Sequence, residues 1–280
     1  MSLPFKAAFP WLLYAYPWMP FPRRVIIYLR EKHIPDTLIQ IVPVSDPQDG
    51  NRVVNPSYPP RPAGSLPILA IPKETKNEHG NGSSWCYVRQ SMAIIRFLEE
   101  LCNEQWKGFS SLHRRLDGGS VLEKVRMNEI LSLAEECTVA WNPVRTFGTN
   151  AGTVSFPRGA KEMLRWVRRS LMTIETWWQD NDRDMAVLRK GTEGYVTIAD
   201  ITLYQFLEFT KDCYGVDMTV GSGENVRDVY GREIVEQFPK LAQFFEAFGT
   251  RDSARREPSK GEVPGAVPTK NMQAWAEGVL

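Results

Sequence analysis

Histidine, cysteine and a surplus of either charge are what this sequence of 280 residues has least of. Its three histidines (His33, His79, His113) and four cysteines (Cys86, Cys102, Cys137, Cys213) are scattered, with no Cys-x-x-Cys and no tight Cys/His cluster. That argues against a zinc site, any other metal site and a disulfide framework, and for reduced, cytosolic thiols. With 34 Lys+Arg against 33 Asp+Glu the net charge is +1, so no bulk field gathers DNA, RNA or anionic lipid. The longest uncharged stretch, Ala7 to Pro22, is too short to span a bilayer and is cut by Pro10, Pro17 and Pro20. It has no clean apolar core ending at a small-residue cleavage site, as a secretory signal would. Repeats and low-complexity tracts are also missing. The expectation is a cytoplasmic protein with neither nucleic acid nor membrane as partner.

What is present has the balance of an ordinary globular protein, 42% apolar and 24% charged, at a length comfortable for two domains. The first hundred residues alternate in type. Trp11 to Tyr16 reads as a buried strand, Arg23 to His33 as a helix, Leu38 to Val44 as a second strand. After a Pro-rich loop from Asp46 to Gly64, Leu66 to Ile71 reads as a third strand. A polar, Gly-rich loop over Pro72 to Ser84 leads to a fourth, Trp85 to Val88, and Ser91 to Leu101 is an amphipathic helix. The order β-α-β, loop, β-β-α predicts a parallel strand pair through a right-handed crossover and a later antiparallel pair at the sheet edge.

From about Val121 the pattern is helical only. Leu164, Val167, Leu171, Ile174 and Trp178 are spaced as one face of a helix, with Arg165, Arg168 and Arg169 on other, solvated faces. Val121 to Trp141, Ile201 to Phe209 and Phe238 to Phe248 read as further helices. Asn103 to Gly119 is the natural linker, so the expected domains are residues 1–105 and 119–256. Residues 257–280, rich in Pro, Gly and Lys, read as a loosely ordered tail.

Three local motifs carry chemistry or nucleation. A proline opening a strand, as in Leu66-Pro67, is either a trans bond at an edge or a cis bond that turns the Leu66 N–H and C=O outward toward a peptide-like ligand. Local sequence favours trans. Gln90-Ser91 stands where a strand passes into a helix, so Ser91 is either an ordinary N-cap or part of a carboxylate site at the positive helix end. Thr197 to Asp200 is a capping box, with Val196 and Ile201 as its hydrophobic staple. Gly221-Ser222-Gly223 lacks the third glycine and the preceding strand of a dinucleotide loop.

Order and spacing of these motifs resemble the glutathione transferase superfamily over roughly residues 10 to 255. Asn55-Pro56, Leu66-Pro67, Gln90-Ser91 with Ala93-Ile94 and Phe97-Leu98-Glu99, the Thr197 to Asp200 box, and Pro239, Leu241, Phe244 and Phe245 match its pattern in order. The resemblance implies an α/β thioredoxin-like N-terminal domain followed by an all-α helical domain. It implies glutathione as co-substrate, held by the Leu66 backbone beside Pro67 and by Gln90 and Ser91, and an apolar electrophile as the second substrate. It further implies a homodimer. Pro-rich insertions around Ser57 to Ala63 resemble a fungal member from specialised (secondary) metabolism.

One departure bears on mechanism. Members of this family activate the thiol with Tyr, Ser or Cys near the end of the first strand, and the Ser/Cys position here holds Met19, which cannot donate. Tyr16, after a one-residue shift, is the expected thiol activator. Trp18, Met19, Phe21, Trp141 and Arg145 are the expected pocket residues. The alternatives are a binding or regulatory protein that kept the fold, or an enzyme using the same cleft without glutathione.

Overall fold

The computed structural model describes residues 9–44, 58–59, 61–73, 85–110, 115–148, 154–189 and 196–279. The Asn55-Pro56 pair and most of the two long loops of the N-terminal half lie outside them. The chain divides into two compact units, Met1–Arg115 with Arg256–Val263, and Leu116–Arg255 with Pro264–Leu280.

In the first unit, β1 (Trp11–Ala15) is buried at every position. It lies between β2 (Ile39–Pro43) and β3 (Ile68–Pro72), with β4 (Trp85–Arg89) at the far edge, giving the order β2-β1-β3-β4. β1 and β2 are parallel, and β3 is antiparallel to both β1 and β4. Alternation along the strands sends Leu12, Tyr14, Val42, Val44, Ile68 and Ala70 to one face, with Tyr16, Leu66, Trp85 and Tyr87 packed against them. On the opposite face Trp11 stacks on Phe97 at 6.0 Å. A sheet buried on both faces explains why β1 and β3 read as continuous apolar runs.

Helix α1 (Pro20–Glu31) begins three residues earlier than its apolar pattern suggested, because Pro20 and Pro22 have the backbone torsion a first turn needs. Its last turn is tied to α2 (Ser91–Asn103) by a buried cluster: the Tyr28 hydroxyl donates to Glu99 Oε2 at 2.8 Å and Lys32 Nζ lies 3.3 Å from the same carboxylate. Burial, reinforced by Glu99, pushes the Tyr28 hydroxyl pKa up.

The second unit is built on α3 (Val121–Gly148), α4 (Pro157–Asp180), α5 (Ile198–Tyr214), α6 (Pro239–Gly249) and α7 (Ala266–Val279). The five residues of the α4 stripe are all buried. α3 continues past Trp141 through Pro143. The proline removes one amide bond, to a carbonyl on Val139, whose side chain is 56% exposed and so lies on the solvent face. The capping box is complete: the Thr197 amide donates to Asp200 Oδ2 at 2.9 Å, and the Asp200 amide to Thr197 Oγ1 at 3.3 Å. Asp200 is fully buried and also faces Arg183 at 2.9 Å.

Four expectations need correction. The linker is shorter than Asn103 to Gly119, since Phe109 is buried in the first unit and the Leu116 carbonyl accepts the Ile198 amide at 2.9 Å in the second. A two-stranded ribbon, β5 (Asn225–Arg227) and β6 (Glu233–Val235), went unseen because its strands are three residues long and mostly exposed. Arg168 and Arg169 are not simply solvated: Arg168 clasps Glu236 through Nε and Nη2 at 2.8 and 3.0 Å, and Arg169 donates to the Asp228 carbonyl at 2.9 Å. Gly221 belongs to this ribbon too, since a Cβ there would stand 2.0 Å from the Glu236 carbonyl oxygen. Finally, residues 257–279 are not loose: a 3-10 turn (Pro258–Lys260) and α7 order them, and Glu262 is fully buried against arginines of α1. A partner 239 residues away decides that burial.

Candidate functional site

The register of the first unit gathers most of the residues singled out from the sequence. Tyr14 pairs with Ile68, and Ile68 with Arg89. Tyr14, Ile68 and Arg89 end the paired register, so Tyr16, Leu66 and Ser91, each two residues beyond, leave the sheet at the same end. Tyr16 and Leu66 are half-buried and pack against the same apolar cluster.

At this end the Leu66-Pro67 bond is cis, the form implied by the resemblance rather than by local sequence. Opposite it, Gln90 sits at φ 70° and ψ 120°. A positive φ at a residue with a side chain costs on the order of 1–3 kcal/mol and is retained where the surroundings impose it. Gln90 is the N-cap of α2 and makes no side-chain cap bond. Ser91 is therefore the first helical residue and not the cap, and it is 4% exposed. The first amides of a helix have no partner within it, and the dipole favours an anion there.

The turn from β1 to α1 carries the other expected residues. Met19 closes it by donating its amide to the Tyr16 carbonyl at 3.0 Å, with Trp18 and Met19 half-buried. Met19 caps α1 without a side-chain bond. Pro20 and Pro22 have no amide hydrogen, so Phe21 carries the one N–H in the three residues before Arg23. The start of α1 is thus poor in donors. Tyr14 is already committed: its hydroxyl donates to the Pro59 carbonyl. Burial, with Tyr87 and Tyr58 adding, pushes its pKa up to about 12.

Trp141 and Arg145 belong to the helical unit, on α3. There they converge on Tyr214: the Trp141 ring meets it edge-on at 5.2 Å and Arg145 Nη1 donates to its hydroxyl at 3.3 Å. Burial raises the Tyr214 pKa and Arg145 opposes the rise. Tyr214 was not singled out from sequence; its one local signal is the helix end marked by Gly215 at φ 71°. A pocket of about 460 Å³ on the same unit is lined by Asp182, Arg183, Lys240 and Glu246 among others. Its charges are partly matched within the protein, Lys240 to Asp182 at 3.2 Å and Arg183 to Asp200. Among the described residues no His/Cys/Asp/Glu group could hold a metal ion, and no helix is long and apolar enough to cross a membrane.

Residues 18–101 match the family described as glutathione S-transferase, N-terminal domain. No curated protein sequence matches the chain. Among solved structures it is similar to a glutathione transferase homolog from Lodderomyces elongisporus with two GSH per subunit (TM-score 0.58, 16% identity, 91% of this chain and 98% of that one). It is also similar to a glutathione transferase family member from Pseudomonas fluorescens Pf-5 with bound glutathione (TM-score 0.55, 16% identity, 91% and 100%). A third likeness is to the trimeric glutathione transferase TDR1 of Leishmania (TM-score 0.53, 19% identity, 96% of this chain); the chain spans 48% of that protein's length. With the N-terminal family match over residues 18–101, a four-stranded thioredoxin-like sheet and a helical unit following it, the chain has the glutathione transferase fold.

Proposed function

We propose that the protein is a glutathione transferase-like enzyme that binds glutathione along the N-terminal unit and delivers its sulfur to an apolar electrophile. The observation that carries this reading is the register bringing Tyr16, Leu66 and Ser91 to one end of the sheet. The Leu66 backbone, with Pro67 behind it, would pair with the cysteinyl part of the tripeptide. The γ-glutamyl carboxylate would meet the α2 start at Ser91, with Gln90 beside it. Bound neighbours of similar fold, such as the Pseudomonas fluorescens protein with glutathione, support the choice of ligand.

The sulfur would then lie near the Tyr16–Met19 turn. A thiolate needs a donor or a nearby positive charge. Met19 supplies neither, Pro20 and Pro22 remove two amides, and Tyr14 is engaged elsewhere. Tyr16 is left as the side chain that would stabilise the thiolate, with the Phe21 amide as the second donor. Attack by the thiolate, or addition followed by elimination, would complete the reaction, with Trp18, Met19 and Phe21 lining the acceptor's side. A homodimer, a cytoplasmic setting and a role in specialised metabolism belong to the same reading on the resemblance alone, and light scattering checks the first.

A second reading is favoured by the donor-poor start of α1: a binding or regulatory protein that holds glutathione without ionising it. Calorimetry with glutathione, read together with conjugation to an apolar aryl halide, separates the two. Binding with conjugation supports the enzyme. Binding without conjugation selects the second reading, and no binding overturns both.

A further inference from the structure

The start of α1 is electrically incomplete on its own. No acid stands in its first turn and Met19 supplies no side-chain cap. Arg23 and Arg24 instead bring positive charge to a helix end whose dipole is already positive, and each is 1% exposed. The compensating charge comes from the far end of the sequence. After Arg255 the chain leaves the helical unit and returns to the first unit for residues Arg256–Val263. There Glu262, 1% exposed like Arg23, accepts from Arg23 Nη1 and from Arg30 Nη1, each at 3.1 Å on Oε2. Arg30 Nη2 donates to Oε1 of the same carboxylate and, at 2.9 Å, to Glu257. Arg23 and Arg30 are seven residues apart, two turns along one face of α1. Arg256 Nη1 in turn donates to the Glu262 carbonyl at 2.6 Å.

The anchored residue is linked to the candidate site through the backbone. The Arg23 amide donates to the Met19 carbonyl at 2.9 Å, and the Met19 amide to the Tyr16 carbonyl at 3.0 Å. We propose that Glu262 is a positioning residue: from the C-terminal strap it fixes the first turns of α1, and through them the Tyr16–Met19 turn. A buried ion pair is a weak source of net stability, since apolar replacements of similar volume often do as well. Its distinctive effect here is to hold one helix end in one place. The use of that turn for a thiol rests on the function proposed above, whereas the anchoring is read independently of it.

The test is hydrogen exchange on the full chain, comparing Glu262→Gln, Glu262→Asp and Arg30→Met with the wild type. Losing a charged hydrogen-bond partner should speed exchange over residues 17–25 by about tenfold or more while β1 and β3 stay unchanged. Glu262→Asp, which keeps the carboxylate, should restore much of the protection. Arg30 is 20% exposed, so Arg30→Met should fold and give the same local pattern in weaker form even if Glu262→Gln does not fold. With glutathione bound, the thiolate titration should move to higher pH in Glu262→Gln and return in Glu262→Asp. Exchange that rises equally across the first unit, or is unaltered over residues 17–25 in Arg30→Met, overturns the proposal. If the wild type binds no glutathione, the functional reading falls and the exchange pattern alone decides the anchoring.

Discussion

The Tyr14 hydroxyl donates to the Pro59 carbonyl, while Tyr16, two residues on, packs against the same apolar cluster beside Leu66. The two tyrosines are thereby given different expected roles. Tyr16→Phe should raise the pKa of bound glutathione thiol and lower turnover by about 10²–10³, with affinity nearly intact, because such a donor acts on the anion. Tyr14→Phe should leave the thiolate alone and cost about 0.5–1.5 kcal/mol of stability. Ultraviolet titration of bound thiolate in both variants checks this. A shift in Tyr14→Phe with none in Tyr16→Phe would reverse the assignment.

Ser91 follows the cap rather than forming it, which sharpens what its removal should do. Ser91→Ala should weaken glutathione binding by roughly 1.5–3 kcal/mol, the worth of a hydrogen bond to a charged group. Stability should change by no more than about 0.5 kcal/mol, since alanine is at home inside a helix. Calorimetry and chemical denaturation on the same preparation give both numbers; unaltered affinity would remove Ser91 from the site.

The capping box should behave as two unequal halves. Thr197→Ala should cost about 0.5–2 kcal/mol, an ordinary cap. Asp200→Ala should cost more, about 3 kcal/mol, because it also strips the carboxylate from Arg183, which is 14% exposed. Denaturation midpoints test the order, and equal losses would mean that the Arg183 pair contributes little.

These expectations rest on features of unequal legibility. The α4 stripe and the capping box were readable because each is decided within a few turns of chain. The candidate site was legible only as separate motifs: nothing local to Tyr16, Leu66 or Ser91 says that they leave the sheet at one end, since register is fixed by strands pairing across it. Arg168 and Arg169 looked solvated because their partners, Glu236 and Asp228, lie some sixty residues on in a ribbon too short to have a period. The segment after Glu257 looked loose for the same reason. Its composition is that of a tail, and partners as distant in sequence as Arg23 and Arg30 help to make it otherwise.

Acid should release the β5–β6 ribbon before the rest of the helical unit. Burial alone would raise the pKa of Asp228, but the Arg232 amide and guanidinium and the Tyr230 amide outweigh it, and the net shift is downward. Glu236 is lowered in the same way, burial opposed by Arg168 and Ser222. A lowered folded pKa means stability that is present above the ordinary carboxylate range, near pH 4, and lost as pH falls through the lower folded value. Glu175 has the opposite sign. Burial raises its pKa despite the amides of Lys240 and Leu241 that it accepts, so its contribution declines as pH rises through its folded value. Protection of the Tyr230 and Arg232 amides, both donated to the Asp228 carboxylate, should therefore be lost between pH 5 and pH 2.5 ahead of that of the α5 amides. Simultaneous loss would show that the ribbon's carboxylates do not hold it separately.

The strap also sets an order of assembly during synthesis. Arg23 leaves the ribosome early, whereas Glu262 is 239 residues behind it. At roughly 5–20 residues per second that interval is on the order of 10–50 s. Throughout it, the nascent N-terminal unit carries an arginine that must remain hydrated or be shielded by a chaperone, because burying it unpaired is costly. The unit that is begun first is therefore completed only after residues Leu116–Arg255 of the helical unit have been translated.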